Sequence, residues 1–137
     1  MGQEVRPGGL RVLIVDNAAY ARARLRKILE DHRVQVVGEA SNSSEAVACY
    51  KRERPDLVTL DLVMTGEHGF QVFSKLKKFD PGVRVVIVSA MVDHDTIERA
   101  ELLGVKGYVT KPEDWPQFEK VLKQAMVRQE EEHGRSV

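Results

Sequence analysis

Only one cysteine, Cys49, occurs in the 137-residue chain, so no internal disulfide can staple the fold, and a lone thiol fits a reducing compartment. Charge of neither sign predominates, with 21 basic residues against 21 acidic ones. A protein that grips nucleic acid by its phosphates usually carries a clear basic excess, so no nucleic-acid partner is expected. The basic stretch Arg22–Lys27 is interleaved with Ala23 and Leu25 at helical spacing and reads as a solvated helix face. Long apolar runs are also missing. The longest, Val85–Val92, contains Ser89 and falls far short of the roughly 20 residues a membrane span needs. The N-terminus MGQEVRPGGL has no apolar signal-peptide run, and Arg6 stands where an N-myristoylation signal wants Ser or Thr. Neither a repeat nor an interdomain linker is visible. The expectation is a cytoplasmic protein without membrane contact and, by length, a single domain. Such a chain can bury about 68–70% of its unfolded surface without extra staples.

What is present is an alternation of apolar runs and amphipathic segments. Leu10–Val15 is short, continuous and β-branched, as a strand buried on both faces should be. Ala21, Leu25, Ile28 and Leu29 then mark one stripe of a helix. Val34–Ala40 is a second strand. Asn42 is placed to cap a helix running to about Glu53, with Glu45 three positions on as in a capping box. After Pro55, Asp56–Leu60 reads as a third strand, and Val72, Phe73 and Leu76 mark the next helix. Asp80-Pro81-Gly82 is a turn signal before the strand Val83–Val88. Asp95 with Glu98 offers a capping pair for a helix ending at Gly104. Val105–Val109 is the fifth strand, and Phe118, Val121, Leu122, Ala125 and Met126 line the last helix. Strands alternating with helices across short loops imply parallel pairing and right-handed crossovers. The fold class is therefore α/β, a doubly wound five-stranded parallel sheet with helices on both faces.

The polar residues at the carboxyl ends of these strands carry the functional signal. Asp16 and Asn17 follow the first apolar run, Asp61 the third, Ser89 the fourth, and Lys111 comes just after the fifth. In doubly wound sheets those ends border the ligand-binding crevice. Two acids, an amide, a hydroxyl and an amine converging there suit metal-assisted phosphoryl transfer to a carboxylate. Mg2+ prefers oxygen ligands and takes one or two carboxylates with water and phosphate oxygens. A carboxylate can be the nucleophile, and transfer needs little beyond in-line positioning and neutralised charge. Lys111 offers a point charge and Ser89 a hydroxyl donor.

These residues stand in ordered motifs: VLIVDN ending at Asp16-Asn17, LVTLDLVM around Asp61, Gly69 downstream of it, VIVSA with Ser89, and GVKGYVTKP with Tyr108, Lys111 and Pro112. The set resembles the receiver domains of two-component response regulators, in particular the single-domain chemotaxis type, over nearly the whole chain. The resemblance implies the flavodoxin-like strand order 2-1-3-4-5. It divides the chain into an N-terminal extension (1–9), a receiver domain (10–127) and a polar tail (128–137). It makes Asp61 the phospho-acceptor and assigns Mg2+ to Asp16, Asn17, Asp61 and the backbone carbonyl of Val63. It makes Ser89 and Lys111 the groups that bind the phosphoryl oxygens. Ser89 and Tyr108 become the switch pair, and the bond before Pro112 is expected to be cis. A histidine kinase is the implied phosphodonor. Output is expected through protein contact at the face built from the fourth helix, fifth strand and fifth helix, with no enzymatic activity beyond self-catalysed phosphorylation and dephosphorylation.

Two positions depart from the family pattern. Asn17 stands where a second acid is usual, and one lost unit charge is worth roughly 1 kcal/mol in water at about 4 Å and about 4 kcal/mol at an effective dielectric of 20, doubled for a dication before desolvation offsets it. Weaker Mg2+ binding is expected. Thr65 stands where a proline commonly follows the methionine, a change expected to loosen the loop. Asn17 also supports an alternative reading, a degenerate receiver acting as a phosphorylation-independent interaction module. A flavodoxin-like redox carrier shares the architecture but would need a Ser/Thr/Gly-rich phosphate loop after Val15. Other residues read more simply. His32, His68, His94 and His133 lack ligand spacing, with His68 and His94 placed on loops near the mouth. Met64 and Met91 read as gap fillers, Trp115 as a packing residue and Cys49 as inert helix packing.

Overall fold

The computed structural model describes residues 9–64, 66, 68–90 and 93–127. Thr65, Met91, Arg6, His133 and the tail 128–137 lie outside the described residues. Strands β1 (Arg11–Val15), β2 (Gln35–Ala40), β3 (Leu57–Leu60), β4 (Val85–Ser89) and β5 (Gly107–Thr110) alternate with helices α1 (Ala19–Asp31), α2 (Ser43–Glu53), α3 (Gly69–Phe79), α4 (His94–Leu103) and α5 (Trp115–Ala125). All strand pairs are parallel, in the order β2-β1-β3-β4-β5, which is the flavodoxin-like order.

The strand pleat splits the core into two layers. Val12, Ile14, Leu57, Val86, Val88 and Val109 face α1 and α5, meeting Leu25, Leu29, Phe118 and Leu122. Their neighbours Leu13, Val15, Val58, Leu60, Val85 and Ile87 face the opposite layer, meeting Tyr50, Phe73, Leu76 and Ala100 from α2, α3 and α4. Central strands buried on both faces explain why their sequence is continuously apolar. At Gly38 of β2 the strand and helix come close, and an added Cβ would collide with the Cys49 sulfur on α2.

Helix starts differ from the sequence reading in instructive ways. Asn42 caps α2 by accepting from Glu45 N at 2.9 Å. The Glu45 carboxylate, however, reaches past the cap to Ser41, accepting from its N and Oγ at 2.8 Å each. Asp95 is not the cap of α4. Asp93 is, accepting from Thr96 N at 2.7 Å, because helical backbone already begins at His94 and Asp95 falls inside the first turn. His68 caps α3 by a reciprocal box with Gln71, so neither His68 nor His94 is a free loop residue. At its far end α4 stops at Gly104, whose φ of 104° is costly for residues with a Cβ. Trp115 opens α5 and stacks on His32 at the end of α1, with ring centroids 4.0 Å apart and planes 14° apart. Tyr50 donates to Asp80 Oδ2 at 2.7 Å. Burial, reinforced by that carboxylate, pushes the phenol pKa well above its ordinary value. Among the described residues no helix is long and apolar enough to cross a membrane.

Candidate functional site

Strand register brings the two acids together. Ile14 is aligned with Thr59 and Val15 with Leu60, so Asp16 and Asp61 leave neighbouring strands side by side. The ladder continues one step, with Asp61 N donating to Val15 O at 3.0 Å. Both carboxylates are deeply placed, Asp16 being 4% exposed and Asp61 8%. On the other side Ser89 is aligned with Thr110, and Lys111 N donates to Ser89 O at 2.9 Å. That bond sets the root of the lysine beside the hydroxyl.

The side chains then meet. Lys111 Nζ lies 2.6 Å from Asp16 Oδ2 and 3.2 Å from Asp61 Oδ2. The completely buried Ser89 donates its hydroxyl to Asp61 Oδ1 at 2.9 Å, and Val63 N donates to the same oxygen at 3.1 Å. Asp16 Oδ1 accepts from Ala18 N at 2.9 Å. Every oxygen of both carboxylates thus has a donor, which is what allows two acids to be buried together. Burial by itself would lower the Lys111 pKa, but hydrogen bonds and charge from Asp16 and Asp61 outweigh it and raise the value. Asn17 is half-buried at the same mouth. Behind it, Arg22 Nη1 donates to the Asp16 carbonyl at 2.6 Å, and Arg22 Nε pairs with Glu39 at 3.1 Å.

Two neighbours frame this cluster. The loop after β3 folds back tightly, since a Cβ on Gly69 would stand 2.6 Å from the Asp61 carbonyl oxygen and 2.7 Å from Leu62 Cα. The Lys111–Pro112 bond is cis. Tyr108, on β5, is 39% exposed. The gap beside it, lined by Ile87, Ile97 and Ala100, has a volume of only about 10 Å³.

The chain from Val12 to Lys123 matches the model of the response regulator receiver domain. The chain belongs to the response-regulator receiver family. This receiver is 38% identical to the chemotaxis protein CheY of Thermotoga maritima over 104 residues, covering 76% of this chain and 87% of that one. It is 37% identical to CheY of Halobacterium salinarum over 102 residues, covering 74% and 84%. Among solved structures it resembles the complex of CheX, CheY, BeF3 and Mg2+ from Borrelia burgdorferi, with a TM-score of 0.81, 27% identity and coverage of 88% and 91%. The single-domain chemotaxis type of receiver is therefore the right comparison.

The sequence pointed to Asp16, Asn17, Asp61, Ser89 and Lys111, and all five stand at one mouth. Among the described residues Tyr108 makes no hydrogen bond to them. Sequence reading missed Arg22 and the Arg24–Glu113 pair beside Lys111, whose Nε–Oε1 distance is 3.2 Å. Arg22 and Arg24 belong to a basic helical stretch, but their own partners Glu39 and Glu113 lie on other elements, so local pattern carries no signal for them.

Proposed function

We propose that this receiver is a phosphorylation switch in which Asp61 accepts a phosphoryl group and Mg2+ assists. One observation supports this above the others: Lys111 and Ser89 both hold the Asp61 carboxylate, and Lys111 simultaneously draws in Asp16. Two carboxylate oxygens gathered around a single ammonium nitrogen form an oxygen-donor set suited to a hard dication. Among the described residues no group of three or more His, Cys, Asp and Glu could hold a metal. The site would therefore rely on Asp16 and Asp61, the Asn17 amide, the Val63 carbonyl and water. Bound Mg2+ would neutralise charge on the phosphoryl oxygens and help align the transfer.

Asp61 needs no general base, because an ionised carboxylate is already the nucleophile. One of its oxygens bonds to phosphorus as the donor's bond to phosphorus breaks, and the leaving group departs with that electron pair. Lys111 then has a phosphoryl oxygen in place of a carboxylate oxygen to hold. The Ser89 hydroxyl turns from Asp61 Oδ1 to the phosphoryl group. Movement of Ser89 draws on the packing around β4, and Tyr108 is placed to respond. A gap of about 10 Å³ cannot admit its ring, so inward rotation requires α4 to shift, giving two discrete packings. Leu102, Leu103 and Tyr108, exposed at 87%, 42% and 39%, lie on α4 and β5, the face proposed to meet a protein target. A histidine kinase is the proposed donor, and the cytoplasm the proposed location.

The test is incubation with a small phosphodonor and Mg2+, followed by mass spectrometry of the intact chain. Wild type is expected to gain one phosphoryl group, and Asp61→Asn none. Asn17 favours the second reading, a phosphorylation-independent interaction module. An unmodified wild type that gains the group as Asn17→Asp would establish it.

A further inference from the structure

The loop between β5 and α5 carries Lys111, and its two ends are anchored within the strand-and-helix frame. Lys111 N bonds Ser89 O at 2.9 Å, and the Asp114 side chain caps α5 at Gln117 N, 3.4 Å away. Between these anchors stands Glu113. Its side chain is only 2% exposed, although it is a carboxylate on a surface loop. Arg24 of α1 reaches across to it, Nε to Oε1 at 3.2 Å, while the arginine itself stays 42% exposed. An exposed ion pair of this length would count for little. Here the glutamate side chain is largely covered and the pair joins two separate elements, the β5–α5 loop and α1. Tyr20, Arg24, Ala90, Lys111 and Glu113 line one cleft of about 420 Å³, so the pair forms part of the same wall as the Lys111 stem.

We propose that the Arg24–Glu113 pair is a latch that positions Lys111, tying the lysine's loop to α1 so that its ammonium group stays in register with Asp16 and Asp61. Glu113 is two residues from Lys111 and touches neither carboxylate, so it is a positioning residue and acts through the lysine. The inference rests on Asp61 being the phospho-acceptor. The lysine bridges its two acids at 2.6 and 3.2 Å, and displacement of such a group by about 1 Å can cost up to a hundredfold in rate.

The experiment compares wild type, Glu113→Gln, Arg24→Ala and Arg24→Lys, and repeats Glu113→Gln in a Lys111→Ala background. Phosphorylation by a small phosphodonor with Mg2+ is followed at saturating donor, together with thermal unfolding and the NMR signal of the Lys111 ammonium group without donor. Glu113→Gln and Arg24→Ala are each expected to slow phosphorylation about tenfold, while Arg24→Lys restores most of the rate. Glu113→Gln should shift the Lys111 signal, and should slow the reaction no further once Lys111 is gone. An unmoved Lys111 signal, or an equal loss in the Lys111→Ala background, overturns the latch. If Glu113→Gln unfolds, the solvent-facing Arg24→Ala and Arg24→Lys give the same comparison. A wild type that takes no phosphoryl group refutes the role of Asp61, and the Lys111 signal still decides the latch.

Discussion

Gly69→Ala would press a methyl group into the main chain that carries Asp61. The new methyl group would face the Asp61 carbonyl oxygen at 2.6 Å and Leu62 Cα at 2.7 Å, where ordinary contact begins near 3.4 Å. Both obstacles are main-chain atoms, so no side-chain rotation relieves them, and the start of α3 must part from the end of β3 by roughly 0.8 Å. Overpacking of this kind costs about 1–3 kcal/mol. Alanine recovers up to about 1 kcal/mol as the better helix former, leaving a net loss of about 0–3 kcal/mol centred near 1.5 kcal/mol. Urea unfolding should register a midpoint lower by about 1 M. Because the displaced carbonyl belongs to Asp61, phosphorylation should slow by at least about tenfold as well. Gly82→Ala is the control: its nearest obstacle is Asp80 Oδ1 at 3.5 Å, and stability should stay within about 0.5 kcal/mol of wild type. If Gly69→Ala unfolds and phosphorylates like wild type, the backbone contact does not constrain the site and the reasoning is refuted.

Asn17→Asp should tighten Mg2+ binding by about tenfold, read by calorimetry, since it restores a unit charge at the mouth. Tyr50→Phe should cost about 1–2 kcal/mol at neutral pH by leaving Asp80 without its phenol donor. Its pH dependence has a definite sign. The folded pKa of Tyr50 is raised, so the stabilisation is complete below the unfolded value near 10 and fades as pH climbs beyond it, when the unfolded chain loses a proton that the folded chain keeps. Denaturation curves of wild type and Tyr50→Phe should therefore converge above about pH 10. Gly38→Ala should destabilise by about 1–3 kcal/mol, and Cys49→Ala in the same chain should return part of that loss, a non-additivity that a double-mutant cycle of unfolding energies would measure.

The strands and their order of burial were legible because central parallel strands have no solvent face, so Leu57–Leu60 and Val85–Val88 are apolar at every position but Thr59. The convergence of Asp16, Asp61, Ser89 and Lys111 was legible for a related reason: parallel strands all end on the same edge, so residues just past each run must be neighbours. Capping was less legible. Asp93 and Asp95 are both good N-cap residues, and only the backbone decides which one precedes the first helical turn. Long-range pairs were not legible at all. Arg24 and Glu113 are far apart in sequence, and the crossovers that bring α1 beside the β5–α5 loop belong to the tertiary fold.

The stack of Trp115 on His32 has a practical consequence. Trp115 is the sole tryptophan of the chain, so its emission comes from one known place, the seam where α5 begins against the end of α1. An indole lying flat on an imidazole emits differently from one turned into water. The emission of Trp115 therefore reports on the seam between α1 and α5, two residues along the chain from Glu113, without any attached dye.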